Sequence, residues 1–72
     1  MEIVKSYIIN RKGIGFFKSV LESYEDVGIF SVIDGNRGLV ELIYPLYFGS
    51  DIESIVSDMV NYGIVLQEVL HD

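Results

Sequence analysis

The chain has no cysteine, no tryptophan, one proline and one histidine in 72 residues. Without cysteine there is no disulfide, no thiolate nucleophile and no thiolate metal site, which fits a reducing compartment. The single histidine, His71, stands next to the C-terminus, so a histidine-cluster metal site is excluded and no cofactor is expected. No stretch reaches the ~20 apolar residues that a membrane-spanning helix needs, and "MEIVKSYII" lacks the length and cleavage pattern of a signal peptide. The expectation is a cytoplasmic protein with no membrane partner.

Positive charge is also scarce. Five cations stand against eleven acids, for a net charge of -6, and a surface of that sign does not favour nucleic acid, whose phosphates need cations for neutralisation. The cations are unevenly placed. Lys5, Arg11, Lys12 and Lys18 lie in the first 18 residues against Glu2 alone, whereas the rest of the chain carries Arg37 against ten acids.

Apolar residues, by contrast, are plentiful. Half of the chain is hydrophobic and mean hydropathy is +0.38. A chain this short buries only about 60% of its unfolded surface and forms one domain over residues 1–72. So much apolar surface in so small a domain predicts that part of it is covered by a partner, in the first instance a second copy in a homodimer or higher homo-oligomer.

Periodicity divides the chain into six segments. "EIVKSYII" (2–9) is rich in β-branched residues and reads as a strand. From about Ile14 to Glu25 the spacing of Ile14, Phe17, Leu21 and Tyr24, widened by Phe16 and Val20, predicts an amphipathic helix. "VGIFSVI" (27–33) and "LVELIY" (39–44) flank the turn "DGNRG" (34–38) as a hairpin, which Pro45 ends because it has no N–H for the ladder. Ser50 and Glu53 have the spacing of a capping box ahead of a second apolar stripe, Ile52, Ile55, Val56, Met59 and Val60, with Gly63 as its C-terminal cap. "IVLQEVL" (64–70) is the last strand.

This order, βαββαβ, predicts an α+β ferredoxin-like domain: a four-stranded antiparallel sheet with two helices on one face. The other face is left bare. Along the hairpin strand Val40, Leu42 and Tyr44 share one side and Leu39, Glu41 and Ile43 the other, so both sides are largely apolar and the open face or an edge is expected to pair. Leu39, Ile43 and Tyr44, with Tyr47 and Phe48 of the aromatic connector "YPLYFG" (44–49), are the interface candidates. The plainer account of that connector is a hydrophobic plug beneath the second helix.

The ligand candidates lie elsewhere. In this topology the first strand-to-helix turn, the hairpin turn and the turn "NYG" (61–63) fall at one end of the sheet, which gathers Asn10, Arg11, Lys12, Gly13 and Arg37 there. Three cations beside a helix start, with its unpaired N–H groups and positive dipole end, suit a phosphate, a carboxylate or an amino acid. The plainer account is solvated turn charges on an acidic protein, with Gly13 and Gly15 serving only to let the chain enter the helix and pack closely to the sheet. Asp51, Glu53 and Asp58, with Glu22, Glu25 and Asp26, read as a solvated acidic face and supply no general acid and base pair.

Three resemblances follow from these residues. "NRKGIGFFKSVLESYEDVGI" resembles the opening of ACT domains, regulatory ferredoxin-like modules; of their Asp-Arg-Pro-Gly turn, Arg11 and Gly13 match, while Asn10 and Lys12 replace the Asp and Pro. More of the chain, from "SYIINRK" through "IDGNRGLVELIYP" to the last strand, is similar to a family of short bacterial domains of unknown function. "GIGFF" resembles the phosphate-binding loop of acylphosphatases, which implies acyl-phosphate hydrolysis by an arginine and an asparagine. Phe17 stands where that arginine would be and Asp34 near the asparagine's place. Since the chemistry needs a guanidinium on the anion and an amide on the water, the expectation is a non-catalytic domain. A protein-interaction module without a small ligand is the alternative, and a degenerate acylphosphatase the third.

Overall fold

The structure, a computed structural model, describes residues 1–24 and 27–70. Strand β1 (Glu2–Ile9) is followed by helix α1 (Arg11–Ser23) and the hairpin of β2 (Ile29–Asp34) and β3 (Leu39–Pro45). A 3-10 turn at Leu46–Phe48 then leads into α2 (Gly49–Asn61) and β4 (Leu66–Val69). The sheet order is β2-β3-β1-β4, every neighbouring pair antiparallel, which is the ferredoxin-like βαββαβ arrangement.

Alternation along the strands decides what is core. Tyr7 and Ile9 of β1 and Val40, Leu42 and Tyr44 of β3 turn toward the helices and are buried with Phe17 and Leu21 of α1 and Ile52, Ile55 and Met59 of α2. Phe17 is fully buried, with Tyr7 edge-on at 6.0 Å between ring centroids and Phe30 at 5.4 Å. Such T-shaped pairs add to the area term. Tyr44 is 3% exposed, so this interface candidate is a core residue.

Several boundaries differ from the sequence expectation. Helix α1 starts at Arg11, three residues earlier than the stripe implied, with Asn10 at the N-cap position and Arg11, Lys12 and Gly13 already helical. The early start depends on Gly13. A Cβ there would lie 2.5 Å from Ile64 Cγ2 and 2.6 Å from Ile9 Cγ2, so its absence lets the first turn rest on the sheet. Gly15 has no such role: it is exposed, and nothing lies within 4 Å of where its Cβ would be. Gly15→Ala should therefore stabilise the domain by about 0.5–1 kcal/mol, the ordinary helix-interior difference, read as a higher urea midpoint at unchanged m-value.

The capping box is not formed. The 3-10 turn runs straight into α2 at Gly49, so Ser50 is inside the helix and no side chain caps its start. The other end behaves as the sequence implied. Gly63, at φ +86°, donates to Val60 O while Ile64 donates to Met59 O, the paired bonds of a Schellman motif. That use of Ile64 shortens the last strand to Leu66–Val69. Glu25, where the first helix was expected to end, lies outside the described residues, as do Asp26 and His71.

Candidate functional site

The end of the sheet where β1 gives way to α1 is tied to both of its neighbours by backbone bonds. Ile9 donates to Gly38 O at 2.9 Å, which fixes the hairpin turn against β1, and Asn10 donates to Val65 O at 3.2 Å, which fixes the approach to β4 on the other side. Within the turn, Asp34 Oδ1 accepts from the backbone N–H groups of Asn36 (3.1 Å) and Arg37 (3.3 Å), and Gly38 N–H reaches Gly35 O. Asp34 is thus a turn-forming residue of the kind that short acidic side chains supply. Gly38 closes the turn at φ +71° with its backbone against that of Ile9.

Between these elements is a cleft of about 320 Å³ lined by Asn10, Arg11, Asn36, Arg37 and Gln67, with Ile8, Ile9, Val65 and the turn glycines Gly35 and Gly38 as its apolar and backbone parts. Arg11 and Arg37, from separate elements, both line it, and among the described residues no carboxylate does. Among the described residues the one ion pair is Lys5 with Glu68, so neither arginine has a carboxylate partner there. The start of α1 adds to the field: it has no acidic residue in its first turn and no side chain on its N-terminal N–H groups, leaving open donors and the positive end of the dipole.

Of the five ligand candidates, Asn10, Arg11 and Arg37 are brought together, and two are not. Lys12 is exposed on α1 and does not line the cleft, and Gly13 is buried against Ile9 and Ile64. The turn "NYG" is replaced as a neighbour by Val65 and Gln67, since Tyr62 instead packs its ring 5.8 Å from that of Phe16. Asn36 and Gln67 escaped the sequence reading. For Gln67 the signal was present: a polar residue in the last strand whose register pairs it with Ile8, near the end of β1.

The open face of the sheet carries an apolar row, Ile29, Ile43 and Val4, aligned across β2, β3 and β1. A polar row, Ser31, Glu41 and Ser6, runs parallel to it, followed by Leu39 beside Ile8. Ile29 and Val4 are exposed and Ile43 and Leu39 half-buried. At the far end Tyr47 is 78% exposed, whereas Phe48 is packed against the core, so only Phe48 acts as the plug. The acidic side chains Glu22, Asp51, Glu53 and Asp58 are exposed. The position matched to an acylphosphatase arginine, Phe17, is at the centre of the core and does not reach the cleft. No helix among the described residues is long and apolar enough to cross a membrane.

A family model described as a domain of unknown function matches residues 7–62, which takes in β1 from Tyr7, the whole cleft apart from Val65 and Gln67, and all of α2. No curated protein and no solved structure matches the chain.

Proposed function

We propose that this chain, which belongs to the family Domain of unknown function (DUF4911), is a non-catalytic, ACT-like binding module of the cytoplasm that holds a small anion at the Asn10, Arg11 and Arg37 cleft in a regulatory role. The observation that carries this reading is that Arg11 of α1 and Arg37 of the hairpin turn both line a cleft to which no described residue contributes a carboxylate. A guanidinium offers a planar set of donors matched to carboxylate and phosphate oxygens, and two of them beside a helix start suit one such group. An amino acid, a carboxylate or a phosphate fits this chemistry. Catalysis is disfavoured by the buried Phe17 and by an Asp34 side chain engaged with its own turn.

A thermal-shift series with phosphate, nucleotides and amino acids tests the reading. The wild type should gain several degrees with at least one anion at millimolar concentration, and the Arg11→Ala, Arg37→Ala double variant should gain nothing from it while melting unchanged alone. A screen in which no anion raises the melting temperature refutes the proposal.

The open face favours self-association as a second element of the same reading. Its apolar row and the half-buried Leu39 face away from both helices, and a slab of 30 × 28 × 17 Å offers a broad side comparable with the ~800 Å² that each partner contributes to a standard interface. Sedimentation of the wild type at about 50 µM, above ordinary micromolar affinities, should show a dimer, and Ile43→Lys should show a folded monomer. A wild-type monomer at that concentration removes the self-association; recruitment of a different protein to the same face is then the remaining form of the interaction-module alternative.

A further inference from the structure

A second concavity lies on the helix-facing side of the sheet, beside the short strand β4. It is a groove of about 420 Å³ between α2 and the β1–β4 pair, within the size range of small-molecule sites. Its apolar lining comes from Ile52, Val56 and Val60 of α2 and Leu66 of β4. Its polar groups are Lys5 and Tyr7 of β1, Glu68 of β4, and Glu53 and Ser57 of α2. Lys5 is already engaged with Glu68, at 3.6 Å between Nζ and Oε1, which leaves the carboxylate of Glu53 as the unbalanced charge.

Tyr7 is the second, independent observation. The residue is 3% exposed, yet its hydroxyl makes no hydrogen bond to any described residue. No side-chain polar atom among the described residues is both sealed from solvent and unbonded, so this hydroxyl is open to the groove that the residue lines. A polar group left unmatched on an otherwise buried side chain costs free energy unless water or a ligand satisfies it. Burial, and after it the charges of Glu68, Tyr44 and Glu53, push the Tyr7 hydroxyl up to about 12. It therefore stays neutral at physiological pH, able to accept a hydrogen bond from a cation as well as to donate one.

We propose that this groove is a binding site for a small organic cation, a primary ammonium on an alkyl or aryl body, with the ammonium between the Tyr7 hydroxyl and the Glu53 carboxylate and the body along Val56, Val60 and Leu66. The sign follows from the lining: one cation against two carboxylates, on a chain of net charge -6. The apolar lining favours an organic body over a hydrated inorganic ion, which would leave that surface uncovered. The groove uses none of the residues of the cleft at the end of the sheet, so the two sites stand or fall separately.

Amide chemical-shift titration of the full chain with hexylamine and 2-phenylethylamine, against hexanoate and hexanol as size-matched controls, tests it. The amines should give saturable shifts at residues 53–60 and 66–68 and at Tyr7, Glu53→Gln should weaken them about tenfold and Tyr7→Phe about fivefold, and phosphate should leave these amides unmoved. Glu53 is exposed, so that variant keeps the fold and isolates the charge. Binding of hexanoate or hexanol as tight as that of hexylamine overturns the proposal, as do amine shifts confined to other parts of the chain or affinities untouched by both variants.

Discussion

Gly38→Ala should remove a large share of the domain's stability, about 3 kcal/mol or more. Two costs combine. At φ +71° a side chain is strained by about 1–2 kcal/mol, and the added Cβ would stand 2.1 Å from the carbonyl oxygen of Ile9, a backbone atom held by β1 on both of its sides. A 72-residue domain has about 4–10 kcal/mol in all, so the loss is a large share of it. Gly63→Ala isolates the clash from the strain, because Gly63 has φ +86° with nothing within 4 Å of its Cβ position. It should cost only about 1–2 kcal/mol. Urea denaturation followed by circular dichroism measures both, and equal losses for the two variants contradict the close approach of the hairpin turn to β1. The consequence reaches the cleft, since that approach is what sets Arg37 opposite Arg11.

The second large effect is at Phe17. Phe17→Ala should cost about 3–5 kcal/mol, the range for removing a fully buried aromatic ring, and here the ring also loses its edge-on partners Tyr7 and Phe30. Phe17→Arg should do worse and give no folded protein, because a guanidinium in that position is an uncompensated charge in the core. Hydrolysis of an acyl phosphate should not appear in it. A Phe17→Arg protein that melts like the wild type would mean that the side chain reaches solvent, and the case against acyl-phosphate chemistry would lose its physical basis.

The sheet and helices were legible because their signals are local. Val40, Leu42 and Tyr44 alternate with Leu39, Glu41 and Ile43, and the stripe Phe17–Leu21 and Ile52–Ile55–Met59 repeats at helical spacing, so the core side of each element can be read without its neighbours. Tyr44 shows the same rule overlooked: its parity with Val40 and Leu42 places it in the core, and grouping it with the connector's aromatics obscured that. What sequence could not supply is set by contacts between distant segments. Arg11 and Lys12 are helical because Gly13 lets the first turn settle on Ile9 and Ile64, and Ile64 is there because of a cap at the end of the other helix.

The candidate cleft divides in the same way. Topology alone gathers Arg11 and Arg37 at one end of the sheet, because the first turn and the hairpin turn must share it. Which cation then faces the gap depends on helix phase. One residue further along α1, about 100° around the axis, Lys12 turns away while Arg11 lines the cleft. The groove beside Tyr7 has no local signature, since its lining is assembled from α2, β1 and β4, which lie far apart in the chain.

The proposed seat for an anion is the cleft at the start of α1. The most direct measurement is an amide chemical-shift titration of the full chain with inorganic phosphate at constant ionic strength. The predicted result is saturable movement of the amides of Asn10 and Arg11 together with those of Asn36, Arg37 and Gly38, lost in the Arg11→Ala, Arg37→Ala variant. Shifts that grow linearly to tens of millimolar, or that ignore these two segments, would contradict it.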